Sequence, residues 1–395
     1  MKDSIRLRSG RSIGGQQPCF VVAEVGNNHQ GRLDLALTMI REAARCGVDA
    51  VKFQKRDSAS LFTAAGRAAP YTGANSFGRT YGEHRDALEL DIEAMVRAKA
   101  LAEELGLVFF ASAWDAVSLG QMAALDVELL KICSADLVSL PLLRQAGALG
   151  VPVILSTGMS GYPEIDRAVE QLCRYHDNIV LLHCNSSYPC PEEQIGLPVM
   201  ARLRERYGLP VGYSGHEQGL GPSVAAVALG ACVLERHFTL DRSLPGTDHK
   251  ASLDPRGLAQ LVSMVREVEK SLCTRDKQVF PGELGSAKKL RKSIVFARDL
   301  PAGHVLTRAD ITIKCPGTGL SPLHWDEVVG ATLRSPARFE QQLNWEMLSP
   351  VDDQGGASPL PGPTPPGEAL PLPDYSAGGE HPPRTPCTGA LPKYS

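Results

Sequence analysis

Two histidines, His216 and His237, end consecutive short runs, VGYSGH and VLERH, that read as neighbouring strands. Adjacent strands lie about 5 Å apart, a separation that suits two imidazoles on one divalent ion acting as a Lewis acid on a substrate oxygen. Glu235 falls two residues before His237 and shares its strand face, which favours a metal site over two separately hydrogen-bonded core histidines. Lys52 and Lys131 sit inside apolar runs, DAVKFQK and LLKICS. A buried lysine requires an anionic partner or loses its charge. One such lysine would suit a Schiff base; a pair, with the hydroxyls of Ser134, Ser156 and Ser214 nearby, suits a cradle for phosphate or carboxylate. Glu24 and Asp136 are candidate acid–base groups, and either is equally placed to be the counter-charge of a lysine. His183 and Cys184 make no nucleophilic dyad, because adjacent strand residues point to opposite faces.

The elements that must position these groups alternate along the chain. Candidate strands are Phe20–Gly26, Ala50–Gln54, Val108–Ser112, Leu129–Ser134, Val153–Thr157, Ile179–Cys184, Val211–His216 and Cys232–Thr239, separated by amphipathic segments such as Leu33–Cys46 and Asp91–Leu105. Eight strand-then-helix units over about 250 residues predict an α/β fold, the (β/α)8 TIM barrel. The sequence after the first strand, AEVGNNHQG, is not the glycine-rich dinucleotide turn of a doubly wound sheet. The polar candidates gather where the strands end, the catalytic face of such a barrel.

The 395 residues carry 41 Lys and Arg against 44 Asp and Glu, a net charge of −3, and so offer no basic excess for a nucleic acid. No apolar run is long enough for a membrane span, and no leader is visible before Pro18, so no nucleic-acid or membrane partner is expected. Ten cysteines without CxxC spacing fit reduced thiols in a cytoplasmic protein. Residues 1–285 are expected to form the barrel and 286–349 a small β-rich module. Eleven of the 29 prolines fall in 351–395, and residues 350–395 are expected to be a disordered, polyproline-biased tail.

The motifs AEVGNNHQG, VKFQK, TYGEH, KICSAD, ILSTGMS, LLHCNSSYP, GYSGHEQG, LERHFTLD and GTDHKASLDP, in this order, resemble those of the sialic acid synthases, and KSIVFARDLPAGHVLTRADITIKCPGTG resembles their antifreeze-like SAF domain. The resemblance implies condensation of phosphoenolpyruvate with N-acetylmannosamine or its 6-phosphate. Mn2+ or Mg2+ would be held by His216 and His237, and Lys52, Lys131, Ser134, Ser156 and Ser214 would bind the phosphate and carboxylate. Asp136 would serve the attacking water, and Glu24, Ser186, Tyr188 and Asp248 the substrate. The loop Phe62–His84, with Arg67, Arg79 and Tyr81, is a candidate wrap for the acceptor. The resemblance also implies a domain-swapped homodimer. The arginine that some relatives lend across it falls at Cys315 here, with Lys314 or Arg308 as replacements. A synthase of legionaminic acid or KDN, or a silent scaffold presenting the tail, are the rival readings.

Overall fold

Eight parallel strands close into a barrel: β1 (Phe20–Gly26), β2 (Ala50–Lys55), β3 (Val108–Ala113), β4 (Leu130–Ile132), β5 (Val153–Ser156), β6 (Ile179–Cys184), β7 (Val211–Gly215) and β8 (Val233–His237). The structure, a computed structural model, describes residues 2–274 and 276–349; the proline-rich 350–395 lies outside the described residues. A helix follows each strand: α1 (Leu33–Arg45), α2 (Ile92–Glu104), α3 (Ala116–Ala124), α4 (Leu140–Ala148), α5 (Tyr162–Cys173), α6 (Val199–Tyr207), α7 (Gly221–Ala228) and α8 (Pro255–Ser271). Asp91, Asp115 and Asp254 cap α2, α3 and α8 by accepting from backbone N–H groups of the first turn, which satisfies donors the helix cannot. No helix among the described residues is long and apolar enough to cross a membrane.

The two-residue alternation of the strands decides what the lumen holds. Its lower layer is apolar, with Phe20, Val22, Ala50, Phe110, Leu129, Ile154, Val180, Leu182 and Val233 packed in one cluster. The N-terminal hairpin, Ser4–Arg6 with Ser12–Gly14, adds Ile5, Leu7 and Ile13 to that cluster and plugs the barrel floor. Two residues further along seven of the eight strands, all but β6, the side chains are polar: Glu24, Lys52, Ser112, Lys131, Ser156, Ser214 and Glu235, all almost fully buried. Gly212 makes room between the layers, since a Cβ there would lie 2.5 Å from the Val233 carbonyl oxygen. The opposite strand faces carry Val21, Ala23, Val51, Phe109, Leu155, Leu181 and Leu234 into a separate cluster with the helices.

Four strands end earlier than the sequence pattern suggests. The fourth stops at Ile132, and Ser134–Asp136 form a 3₁₀ turn; β5 stops at Ser156, β7 at Gly215 and β8 at His237.

Contacts divide the chain into Met1–Asp276 and Lys277–Ser395. In the second unit, β9 (Ser293–Phe296) pairs antiparallel with β10 (Ile311–Lys314), around a small core that includes Ile294, Phe296, Leu306, Ile311, Val328 and Leu343. Its buried anchor is Asp310, whose carboxylate accepts from Arg298 Nε (2.8 Å) and Nη2 (2.6 Å), His304 Nε2 (2.9 Å), and Thr307 N (2.9 Å) and Oγ1 (2.7 Å). Burial opposes the charge, yet the bonds from Thr307, His304 and Arg298 hold this carboxyl far below its usual range. A carboxyl depressed in the folded state stabilises it above the unfolded value near 4, and that contribution falls away as the solution is acidified. Asp310→Ala is expected to cost this unit about 1–3 kcal/mol, since it leaves the Thr307 donors unsatisfied while the exposed Arg298 can turn to water. Denaturant unfolding of the full chain checks this, and an unchanged transition would remove Asp310 from the fold's supports.

Candidate active site

The upper polar layer is an ion network. Lys52 Nζ lies 2.9 Å from Glu24 Oε2 and 3.5 Å from Glu235 Oε1, and Lys131 Nζ lies 3.3 Å from the same Glu235 oxygen. Ser214 Oγ donates to Glu235 Oε1 (3.3 Å), and Lys52 donates to Ser112 Oγ (3.1 Å). Burial works against charge on Glu235, but Lys131 and Lys52 outweigh it and hold the carboxyl down at about 2. Burial likewise opposes charge on Lys52, and Glu235 and Glu24 reverse the effect. Glu24 goes the other way: burial, helped by the Glu235 charge, raises it despite Lys52. Burial thus makes the charged form the costlier one at Glu24, while the two lysines hold Glu235 as an anion.

Above this layer the two histidine rings meet, with centroids 5.4 Å apart. Tyr188 packs on both, 4.0 Å from the His216 ring and 5.7 Å from the His237 ring. Burial lowers both imidazoles, and His216, pushed further by His237, falls to about 4. Both are therefore neutral near pH 7. His216 Nδ1 lies 2.7 Å from the Asn185 carbonyl oxygen, which can only accept, so Nδ1 carries the proton and Nε2 keeps a free lone pair. His237 Nδ1 is buried without a hydrogen-bond partner, 3.8 Å from Asp248 Oδ2. Two neutral imidazoles, one with its tautomer set by a backbone carbonyl, fit a divalent ion. Among the described residues no group of three or more His, Cys, Asp and Glu could hold one, so an ion here would rest on the two imidazoles and take its other ligands from water or substrate. Glu235, on the same strand face as His237, meets Lys52 and Lys131, because its carboxylate hangs one layer below the imidazoles.

A cavity of about 210 Å³ gathers Glu24, Lys52, Lys131, Ser134, Ser156, Ser186, Tyr188, Ser214, His216 and His237. Ser156 Oγ is buried there with no partner and is free to donate. Two expected residues are not in its wall. Asp136 follows the early end of β4 and accepts from the Cys133 thiol (2.9 Å); burial raises it to about 6. Asp248 reaches the site only through His237. His183 turns outward to the Ile195 carbonyl (2.6 Å), as strand alternation requires.

Gln54, Ser112, Cys133 and Trp114 also line the cavity; Gln54 and Ser112 stand at strand ends, and that position was their only signal. Arg236 carried no such signal. It is almost fully buried on the outer face of β8, where Nη1 donates to Glu217 Oε1 (2.9 Å) and Ser223 Oγ (2.7 Å) and Nη2 to the Glu217 carbonyl (2.5 Å). That clamp ties the turn carrying His216 to the strand carrying His237. In the second unit, Lys314 pairs with Glu340 and Arg308 with Asp326. Exposed pairs of this kind are weak, so neither cation is withdrawn from other partners.

A (β/α)8 barrel whose mouth joins buried lysines, serine hydroxyls and two neutral imidazoles defines an enzyme that acts on a small, highly charged anion. The chain belongs to the NeuB family, which matches residues 39–277 and is followed by a SAF domain at 291–349; it is a condensing transferase of the sialic acid synthase group. It is 41% identical over 311 residues to the human N-acetylneuraminate-9-phosphate synthase, covering 78% of this chain and 87% of that one. It is 36% identical over 354 residues to the N,N'-diacetyllegionaminic acid synthase of Legionella pneumophila, covering 87% and 99%. The crystal structure of an N-acetylneuraminic acid synthetase from Leptospira borgpetersenii in complex with citrate superimposes with a TM-score of 0.64 at 34% identity, over 72% of this chain and 95% of that one.

Proposed function

We propose that the chain condenses phosphoenolpyruvate with the open-chain aldehyde of N-acetylmannosamine or its 6-phosphate, giving N-acetylneuraminate or its 9-phosphate and inorganic phosphate. The observation that carries this reading is that the lysine–glutamate network and the two neutral imidazoles open on one cavity, so that an anionic enol and a polarised carbonyl can meet. Lys52 and Lys131 neutralise carboxylate and phosphate, while Ser134, Ser156 and Ser214 orient them. A divalent ion, Mn2+ or Mg2+, between His216 and His237 would supply Lewis-acid polarisation of the aldehyde oxygen.

Carbon 3 of the enol attacks the aldehyde carbon, and the double-bond pair becomes the new C–C bond. The aldehyde oxygen takes a proton; Glu24, a carboxyl of the cavity wall whose pKa burial raises, is the candidate donor. Water adds to the electron-poor carbon 2 and loses one proton; the resulting hydroxyl then yields its second proton to the departing phosphate as its O–H pair closes the C2 carbonyl, and phosphate leaves with the electron pair of the C2–O bond. Reaction in ¹⁸O-water is expected to label the sugar acid and leave phosphate unlabelled, read by mass spectrometry of both products. Labelled phosphate would show P–O cleavage and overturn this order of events.

A further inference from the structure

Glu24 is held in the cavity wall by a glutamine. Its Oε2 pairs with Lys52 Nζ at 2.9 Å without the alignment of a hydrogen bond; the directed contact is at Oε1, which accepts from Gln54 Nε2 at 2.8 Å. Gly26 lies beside this contact in the left-handed region (φ +54°), where a Cβ would come 3.3 Å from both Gln54 Nε2 and Glu24 Oε1. Glycine there leaves the two side chains room to meet.

A glutamine amide is nearly symmetric in shape, and a half-turn exchanges its oxygen and nitrogen. With the oxygen turned inward, two acceptors would face each other across the Glu24 contact. Arg56, the first residue past β2 and only 4% exposed, forbids that turn. Its Nη2 donates to Gln54 Oε1, and a guanidinium has donors only, so the amide oxygen must face Arg56 and the NH2 must face Glu24. Asn27 supports the same direction: its Oδ1 accepts from Arg56 Nη1 (3.3 Å), and its Nδ2 donates to Gln54 Oε1 (3.4 Å). Arg56 is itself fixed, with its guanidinium 4.0 Å from the centroid of Trp114 and its backbone N–H donating to Glu89 Oε2 (3.1 Å). The cavity wall includes Gln54 and Trp114 but not Arg56.

We infer that Arg56 is a positioning residue: from behind the cavity wall it locks the Gln54 amide with its NH2 toward Glu24, and so fixes the carboxyl from which the reaction takes its proton. The inference deepens the proposed function and rests on it for the task of Glu24. Lys52 and Lys131 carry the anion without Arg56, so its part is in the rate of the chemical step and not in holding phosphoenolpyruvate.

Steady-state phosphate release tests this. Arg56→Met is expected to lower kcat roughly 10–100-fold, the usual cost of losing a partner that orients a group at the reacting centre, and to leave KM for phosphoenolpyruvate within about twofold. The variant strands no carboxylate, since Glu89 keeps Lys55 at 3.1 Å, and a thermal melt checks that it folds. Arg56→Lys, which still donates to Gln54 Oε1, should recover most of kcat. Gln54→Met should lower kcat comparably, and adding Arg56→Met to it should cost nothing further. Additive losses, or a loss confined to KM, would overturn the positioning role. The geometry is read apart from the reaction by ¹⁵N NMR of the Gln54 side-chain amide in glutamine-labelled protein without substrate. Glu24→Gln should move that signal when Arg56 is present and leave it in place in Arg56→Met, where the NH2 is free to turn away. An equal response in both backgrounds would also overturn the inference. The expected NMR pattern in a chain that releases no phosphate would defeat the proposed function and leave Arg56 its hold on Gln54.

Discussion

His216→Ala is expected to lower kcat/KM by about 10²–10³-fold while leaving the barrel folded. The magnitude is that of removing one preorganised electrophilic group from a dry site. The structural cost is small by comparison. The variant loses one bond to a backbone carbonyl, about 1 kcal/mol, and the packing of Tyr188 on the ring, about 0.5–1.5 kcal/mol. Steady-state kinetics with added Mn2+, alongside a thermal melt, separates the two effects. Dialysis of the wild type against a chelator should reproduce the loss of turnover, and Mn2+ should restore it. A variant that keeps a rate within threefold of wild type would take the imidazole pair out of the chemistry.

Lys131→Met is expected to damage both function and fold. Lys131 Nζ is the nearest cation to Glu235 Oε1, at 3.3 Å against 3.5 Å for Lys52. Its removal leaves a buried carboxylate partly uncompensated, at about 3–5 kcal/mol of stability. The same change removes half of the positive charge offered to phosphoenolpyruvate, and kcat/KM for that substrate should fall at least about 10³-fold, in line with the loss of one anion-stabilising group or more. The double variant Lys131→Met with Glu235→Gln distinguishes the two roles. Removing both charges should return most of the stability, because no buried charge is left alone, while activity stays low. Recovery of activity along with stability would make Lys131 a structural counter-ion and nothing more.

The strand count, the helices between and the residues that face the lumen were legible because they depend on local periodicity. Alternation along each strand separates helix-facing Val51 and Leu234 from lumen-facing Lys52 and Glu235, and that follows from residue order alone. The same rule separated His183 from Cys184. Partnership was not legible: Glu235 shares a strand face with His237, and order along a strand says nothing of what lies across the lumen. In the barrel, strands β2, β4 and β8 are not consecutive neighbours, yet their side chains converge across the lumen, and Glu235 meets Lys52 and Lys131 there.

Asp136 and Asp248 show the other limit. Both are close in sequence to site residues, but β4 ends at Ile132 and the chain turns before Asp136, while Asp248 sits in the loop after β8 and touches the site only through His237. Where a ladder stops is decided by hydrogen bonding with its neighbours, which no single run encodes. The buried Arg236–Glu217 clamp and the Arg56–Gln54–Glu24 line belong to the same category, since charge in a sequence carries no mark of which group will be within reach. Residue types and a period of two determined which groups face the lumen. Closure of the barrel decided which charges meet and which imidazoles lose their protons, because both depend on distances through a dry interior that only the folded chain sets.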